Sequence, residues 1–143
     1  MGNQNIQLPA SEKKIFVNGY EITFSPTDPA FCESLVDLFE SLERQSNEFS
    51  QKASALQWTE VFSLARALDA AIRQKIDDFF GPETCAGIFG STSVCALAEG
   101  LPLWVNLLLA IMDVIQTEFD VEKKATNPRI QKYINKYQKN ERV

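Results

Sequence analysis

Three cysteines, a row of carboxylates at helical spacing and a late cluster of lysines with tyrosines are the residues whose types and spacing could carry chemistry. Histidine is absent from all 143 residues. That removes the commonest general base, proton shuttle and neutral metal ligand, so no histidine triad, Cys-His dyad or His-ligated zinc site can be built within this chain. Cys32, Cys85 and Cys95 are odd in number and far apart, with no Cys-x-x-Cys pair. They fit neither a complete disulfide framework nor a zinc knuckle, and are expected to be free thiols packed as small apolar side chains in a reducing compartment. Glu33, Asp37 and Glu40 fall at i, i+4 and i+7 and could hold a hard cation or act as an acid–base pair. With no second acidic motif at ligand spacing, a solvated acidic face is the expectation. The glycines at 81, 87, 90 and 100 lack a following Gly-Lys-Ser/Thr and a strongly predicted preceding strand, so phosphate cradling is not expected either. No catalytic residue, cofactor site or metal site is expected, and the chain is expected not to be an enzyme.

The elements that carry these residues begin with a β-hairpin, KKIFVNGYEITF, where Asn18-Gly19 supplies the two positive-φ positions of a type I′ turn. Val17 then faces Tyr20 and Ile15 faces Ile22. One face collects Ile15, Val17, Tyr20, Ile22 and Phe24, the other Lys14, Glu21 and Thr23, with Phe16 as the exception. A lone hairpin is marginal in water, so its apolar face must pack on helices, while its edges stay open to another chain. Asp28 caps a predicted helix whose first residue is Pro29, and Phe31, Leu35, Leu38, Phe39 and Leu42 give it a core stripe. After the polar stretch RQSNEFSQKAS, a second helix is predicted over about 57–80. Trp58, Val61, Phe62, Ala65, Leu68, Ile72, Ile76 and Phe79 form its long core stripe. Arg66, Asp69, Arg73 and Asp77 alternate in sign on another side, as surface pairs of about 0.2–0.5 kcal/mol each.

Gly81-Pro82 ends that helix, and one or two brief helices around tight turns are predicted before Pro102. Pro102 opens a third long helix to about 119, apolar nearly all round. It is either the central helix of the bundle or presents one side to an oligomer or partner. A last helix starts at Asn127-Pro128, with Ile130, Tyr133, Ile134 and Tyr137 interleaved by Lys132, Lys136 and Lys139. The expected fold is mainly α (α+β): an N-terminal β-hairpin packed on a bundle of three to five helices.

Charge divides the chain. Residues 1–120 hold 7 basic and 17 acidic residues, net −10, whereas residues 121–143 hold 7 basic and 2 acidic, net +5. The organisation expected is a flexible leader over 1–12, one hairpin-plus-bundle domain over 13–120 and a basic helical segment or arm over 121–143. The arm reads as a solvated lysine face, or as a contact for an acidic partner or for its own body. Nucleic acid is disfavoured, because no helix-turn-helix or other binding motif is present and the acidic body would repel phosphate. The apolar run 101–112 is broken by Asn106 and falls short of the about 20 residues that a membrane span needs. The N-terminal MGNQNIQLPASEKK lacks the pattern of a signal peptide, and a cytoplasmic location is expected.

Three segments, IFVNGYEITF, IDDFFGPETCAGIFG and VCALAEGL, resemble the small tail assembly chaperones encoded by long-tailed bacteriophages. In that family an NG hairpin precedes helices, and a phenylalanine- and glycine-rich FF-G…IFG segment joins the last ones. The resemblance covers about residues 15–119. It implies a non-enzymatic virion assembly protein of the infected host's cytoplasm that binds the tape measure protein, or other tail proteins, and keeps it soluble during tail assembly. The run 101–112 and the basic segment 121–143 lie outside the family pattern, and no residue roles are transferred. A homo-oligomer is expected, with the hairpin edge and the helix 102–119 as interaction surfaces. The candidate partner-binding residues are Tyr20, Trp104, Leu108, Ile111, Lys132 and Lys136. The alternative reading is a nucleic-acid-associated regulatory protein that uses the basic segment.

Overall fold

The computed structural model describes residues 3–125 together with residues 132, 135 and 136. Strands β1 (Lys13–Val17) and β2 (Tyr20–Phe24) form the antiparallel hairpin in the expected register, with Val17 opposite Tyr20 and Ile15 opposite Ile22. Asn18 and Gly19 both take positive φ, 51° and 82°, as a type I′ turn requires. Ile22 and Phe24 are buried, Ile15, Val17 and Tyr20 are half-buried, and Phe16 faces water. Residues 3–12 are exposed and form no helix or strand.

Helix α1 (Pro29–Ala53) begins as its sequence dictates: Ala30 N–H donates to Asp28 Oδ1 at 3.0 Å, and Pro29 needs no donor of its own. It runs on, however, through the polar stretch that follows Leu42. Helix α2 (Trp58–Phe80) packs against it. Burial along the pair is one-sided in length. Leu35, Leu38 and Leu42 on α1 and Ile72 and Ile76 on α2 are core, but no residue between 43 and 71 is buried. From Leu42 to Ala53 and from Trp58 to Ile72 the two helices extend roughly 16 to 21 Å past the core as a two-helix arm. Trp58 and Phe62, expected in the core stripe, stand exposed at the tip of that arm, because among the described residues no third element lies across from them.

Helix α3 (Thr84–Phe89) and a short hairpin, β3 (Leu97–Ala98) with β4 (Leu101–Pro102), fill the glycine-rich interval. Helix α4 (Leu103–Lys124) follows; Pro102 is its N-cap rather than its first residue, and it runs past the expected end at 119. Proline offers no capping side chain, so the open N–H groups of the first turn find other acceptors. Leu103 N–H donates to Ala96 O at 2.8 Å and Trp104 N–H to Val94 O at 3.0 Å. The architecture is thus mainly helical with an N-terminal hairpin and four helices among the described residues. Its core gathers Ile22, Phe24, the inner faces of α1 and α2, Cys85, Ile88, Val94 and the Trp104, Leu107, Leu108 and Ile111 stripe of α4. Phe24, Phe31, Phe79 and Phe80 close one end, with Phe24 and Phe31 stacked at 5.2 Å and Phe79 and Phe80 edge-on at 4.7 Å.

The NG turn does more than reverse the chain. Asn18 Nδ2 donates to Ile88 O at 3.0 Å, which fastens the hairpin to α3. Tyr20 lays its ring against Gly87, inside α3 rather than at a turn, where a Cβ would collide with Tyr20 Cδ2. Gly87→Ala is therefore expected to destabilise the fold by about 1–3 kcal/mol through overpacking, despite alanine's better helix propensity. Tyr20→Ala should recover part of that loss in a double-mutant cycle read by urea unfolding; a neutral Gly87→Ala would show that the contact does not constrain α3.

Candidate functional site

In the charged row on α2 Asp69 and Arg73 form the expected i, i+4 pair, but the row does more than pair with itself. Asp69 Oδ1 accepts from Val94 N–H at 2.8 Å and from Arg73 Nε at 3.2 Å. Arg73 reaches further, and its guanidinium donates to Gly90 O at 3.0 Å and Thr92 O at 2.5 Å. Asp77 Oδ1 accepts from Cys85 N–H at 2.9 Å. One face of α2 thereby satisfies the backbone of the segment that leads into α4. Arg66, further out, makes only a side-chain bond to Ser63 at 3.1 Å within its own helix.

The thiols lie in surroundings that suppress reactivity. Burial pushes Cys85 up to about 12, with the Asp77 carboxylate adding to it. Burial, and then the charge of Asp28, also raises Cys32, and burial raises Cys95. Glu33, Asp37 and Glu40 are exposed, as expected of a solvated acidic face. Among the described residues no group of three or more His, Cys, Asp or Glu is placed to hold a metal ion.

Of the residues expected to bind a partner, Trp104, Leu108 and Ile111 are core. Trp104 packs on Phe39 with centroids 5.6 Å apart, and a partner cannot reach any of the three in this fold. Tyr20 is half-buried against Gly87. Lys132, Asn135 and Lys136 are helical and exposed, while the other residues of the helix expected from Asn127 lie outside the described residues. Four of the six candidates thus turn inward, because the apolar sides of α4 and the hairpin are consumed by the monomer's own core.

Among the described residues two other apolar areas remain uncovered. The first is on α4 and its preceding hairpin. Asn106 Nδ2 donates to Ala98 O at 2.9 Å and Leu101 O at 3.3 Å, holding β3 and β4 to the helix. Leu97 on that hairpin is 72% exposed, Leu101 39%, and Leu109, one turn beyond Asn106, 39%. The segment that carries them is acidic in sequence, with eight acidic residues and no basic one between Lys75 and Lys123, and Lys13 of β1 pairs with Glu118 on α4 at 3.0 Å. The second area is the arm tip, where Leu56, Trp58 and Phe62 are 38%, 79% and 53% exposed. Ala53, Ser54, Leu56, Trp58 and Val61 line a groove there of about 340 Å³. Among the described residues no helix is long and apolar enough to cross a membrane.

A hairpin-capped helical domain with uncovered apolar faces and tied-back charges is the class that this geometry defines. The chain belongs to the Family of unknown function (DUF6673), whose model matches residues 18–143. No curated protein matches the chain, and no solved structure does.

Asp69→Ala should cost about 1.5–3 kcal/mol, since it strips a charged acceptor from Val94 N–H, whereas Arg66→Ala should change stability by less than about 0.5 kcal/mol. A pH dependence follows from Cys85. Its folded-state pKa, about 12, lies above the ordinary 9.0, so the neutral thiol is favoured by folding. The corresponding stability is full below pH 9 and is lost as pH rises toward 12, by about 1.4 kcal/mol at pH 10. Urea unfolding of the native chain and of Cys85→Ala at pH 8 and pH 10 measures this; equal losses in both would remove Cys85 as the source.

Proposed function

We propose that the chain is a non-enzymatic assembly protein whose task is to hold another polypeptide. In keeping with its resemblance to phage tail assembly chaperones, the partner is the tape measure protein and the place of action the cytoplasm of the infected host. The observation that carries this reading is the exposure of Leu97, Leu101 and Leu109 on α4 and the hairpin that leads into it. Exposed leucines on a helix and its leading hairpin, in a segment whose own charged residues between Lys75 and Lys123 are all acidic, suit an amphipathic helix with lysine or arginine flanking its apolar stripe. The expected use of the helix 102–119 as an interaction surface is kept, but on its outward side rather than through Trp104, Leu108 and Ile111.

Isothermal titration calorimetry of the full chain with a tape measure fragment that contains such a helix tests the reading. Leu97→Asp and Leu109→Asp are expected to weaken binding at least about tenfold, or 1.4 kcal/mol, each. Both side chains are exposed, so the urea midpoint should hold. The association rate should also fall with salt, as the acidic segment implies. A fragment that fails to bind, or one bound equally by both variants, would defeat the proposal.

A further inference from the structure

The arm tip fits a different occupant. We propose that two copies of this chain associate through the tips of their α1–α2 arms, closing the exposed ends into a four-helix bundle about a two-fold axis. The inference is independent of the tape measure reading.

Three observations on the arm point to a second copy. The first is charge. Residues 43–66 hold Arg44, Lys52 and Arg66 against Glu43, Glu48 and Glu60, net zero, which leaves the rest of residues 1–120 with 4 basic and 14 acidic residues, net −10. Two such bodies repel one another in most orientations. Tip-to-tip contact places neutral surface at the junction and the acidic bodies at opposite ends. The second is self-complementarity. Trp58 and Phe62, paired at 5.8 Å, stand proud at the groove, one wall of which is Trp58 itself and the rest Ala53, Ser54, Leu56 and Val61. A two-fold axis brings the same patch of both copies together, so the projecting rings of each copy can enter the groove of the other. The third is area. At exposures of 79% and 53%, Trp58 and Phe62 present roughly 300 Å² per copy, taking 150–250 Å² for a whole aromatic side chain. Leu56, Val61 and the methylene stems of the rim charges extend this toward the roughly 1,200 Å² at the low end of specific interfaces.

Sedimentation equilibrium of the full chain reads the proposal. Wild type should dimerise in the micromolar range, and Trp58→Glu and Phe62→Glu should each raise the dimer dissociation constant at least about thirtyfold, as loss of an aromatic hot spot does. Because both residues are exposed, the circular dichroism and urea midpoint of the dilute variants should match wild type. Tryptophan emission gives a second readout. Trp104 is already buried, so any blue shift as wild type is concentrated reports Trp58, and Phe62→Glu should abolish it. Salt should tighten the dimer slightly by screening the acidic bodies. A wild type that stays monomeric, a dimer indifferent to both substitutions, or a Phe62→Glu chain that keeps dimerising while losing a tape measure fragment would each overturn the proposal. The last result would give the tip to the client.

Discussion

Arg73, with Asp69 and Asp77 one turn to either side, is the hinge on which the second half of this molecule depends. The segment between α2 and α4 has a six-residue helix and a four-residue pair of strands, too little regular structure to satisfy its own backbone. The three side chains accept from or donate to that backbone at Cys85, Gly90, Thr92 and Val94. Val94 and Ala96 can then offer their carbonyls to the first turn of α4, whose proline N-cap cannot supply an acceptor side chain. An ionic ladder on one helix therefore sets where the most apolar helix of the chain begins, and through it which of that helix's sides are buried.

Much of this was legible where the signals are local. Asn18-Gly19 specified both turn type and register, and with them the buried side of the hairpin, because a one-residue slip would have put Lys14 and Glu21 inside. Asp28-Pro29 marked a helix start that the structure repeats atom for atom at the cap. What lies opposite a helix face is not local. Trp58 and Phe62 share the period of Ile72 and Ile76, yet only the latter meet α1 where other elements close over the pair. Periodicity reports a face and not its neighbour. The polar residues 44–54 weakened the apolar signal for the same reason, since the arm is wet on most sides and needs few apolar positions to remain helical.

The candidate site was harder to see. An apolar run such as 101–112 can be core or interface, and the structure divides it by face, with Trp104, Leu108 and Ile111 inward and Leu109 outward. The hairpin that exposes Leu97 and Leu101 is held to α4 by Asn106, a side-chain bond with no sequence signature of its own. The alternating charges of α2 told only part of their role: Asp69 and Arg73 do pair, but the same i, i+4 spacing also serves a row of backbone ligands, which only the segment 25 residues away from Asp69 reveals.

Two apolar areas that the described residues leave uncovered then suit two different tasks, a neutral tip for self-association and the exposed leucines of an acidic segment for a basic amphipathic helix. The proposal for those leucines is the central one, because it carries the function. Leucine-methyl NMR of the full chain, titrated with a tape measure fragment, tests it residue by residue. The account predicts saturable shifts at Leu97, Leu101 and Leu109, while Leu56 at the arm tip stays unmoved. Shifts confined to Leu56, or none at any of the four, would contradict it.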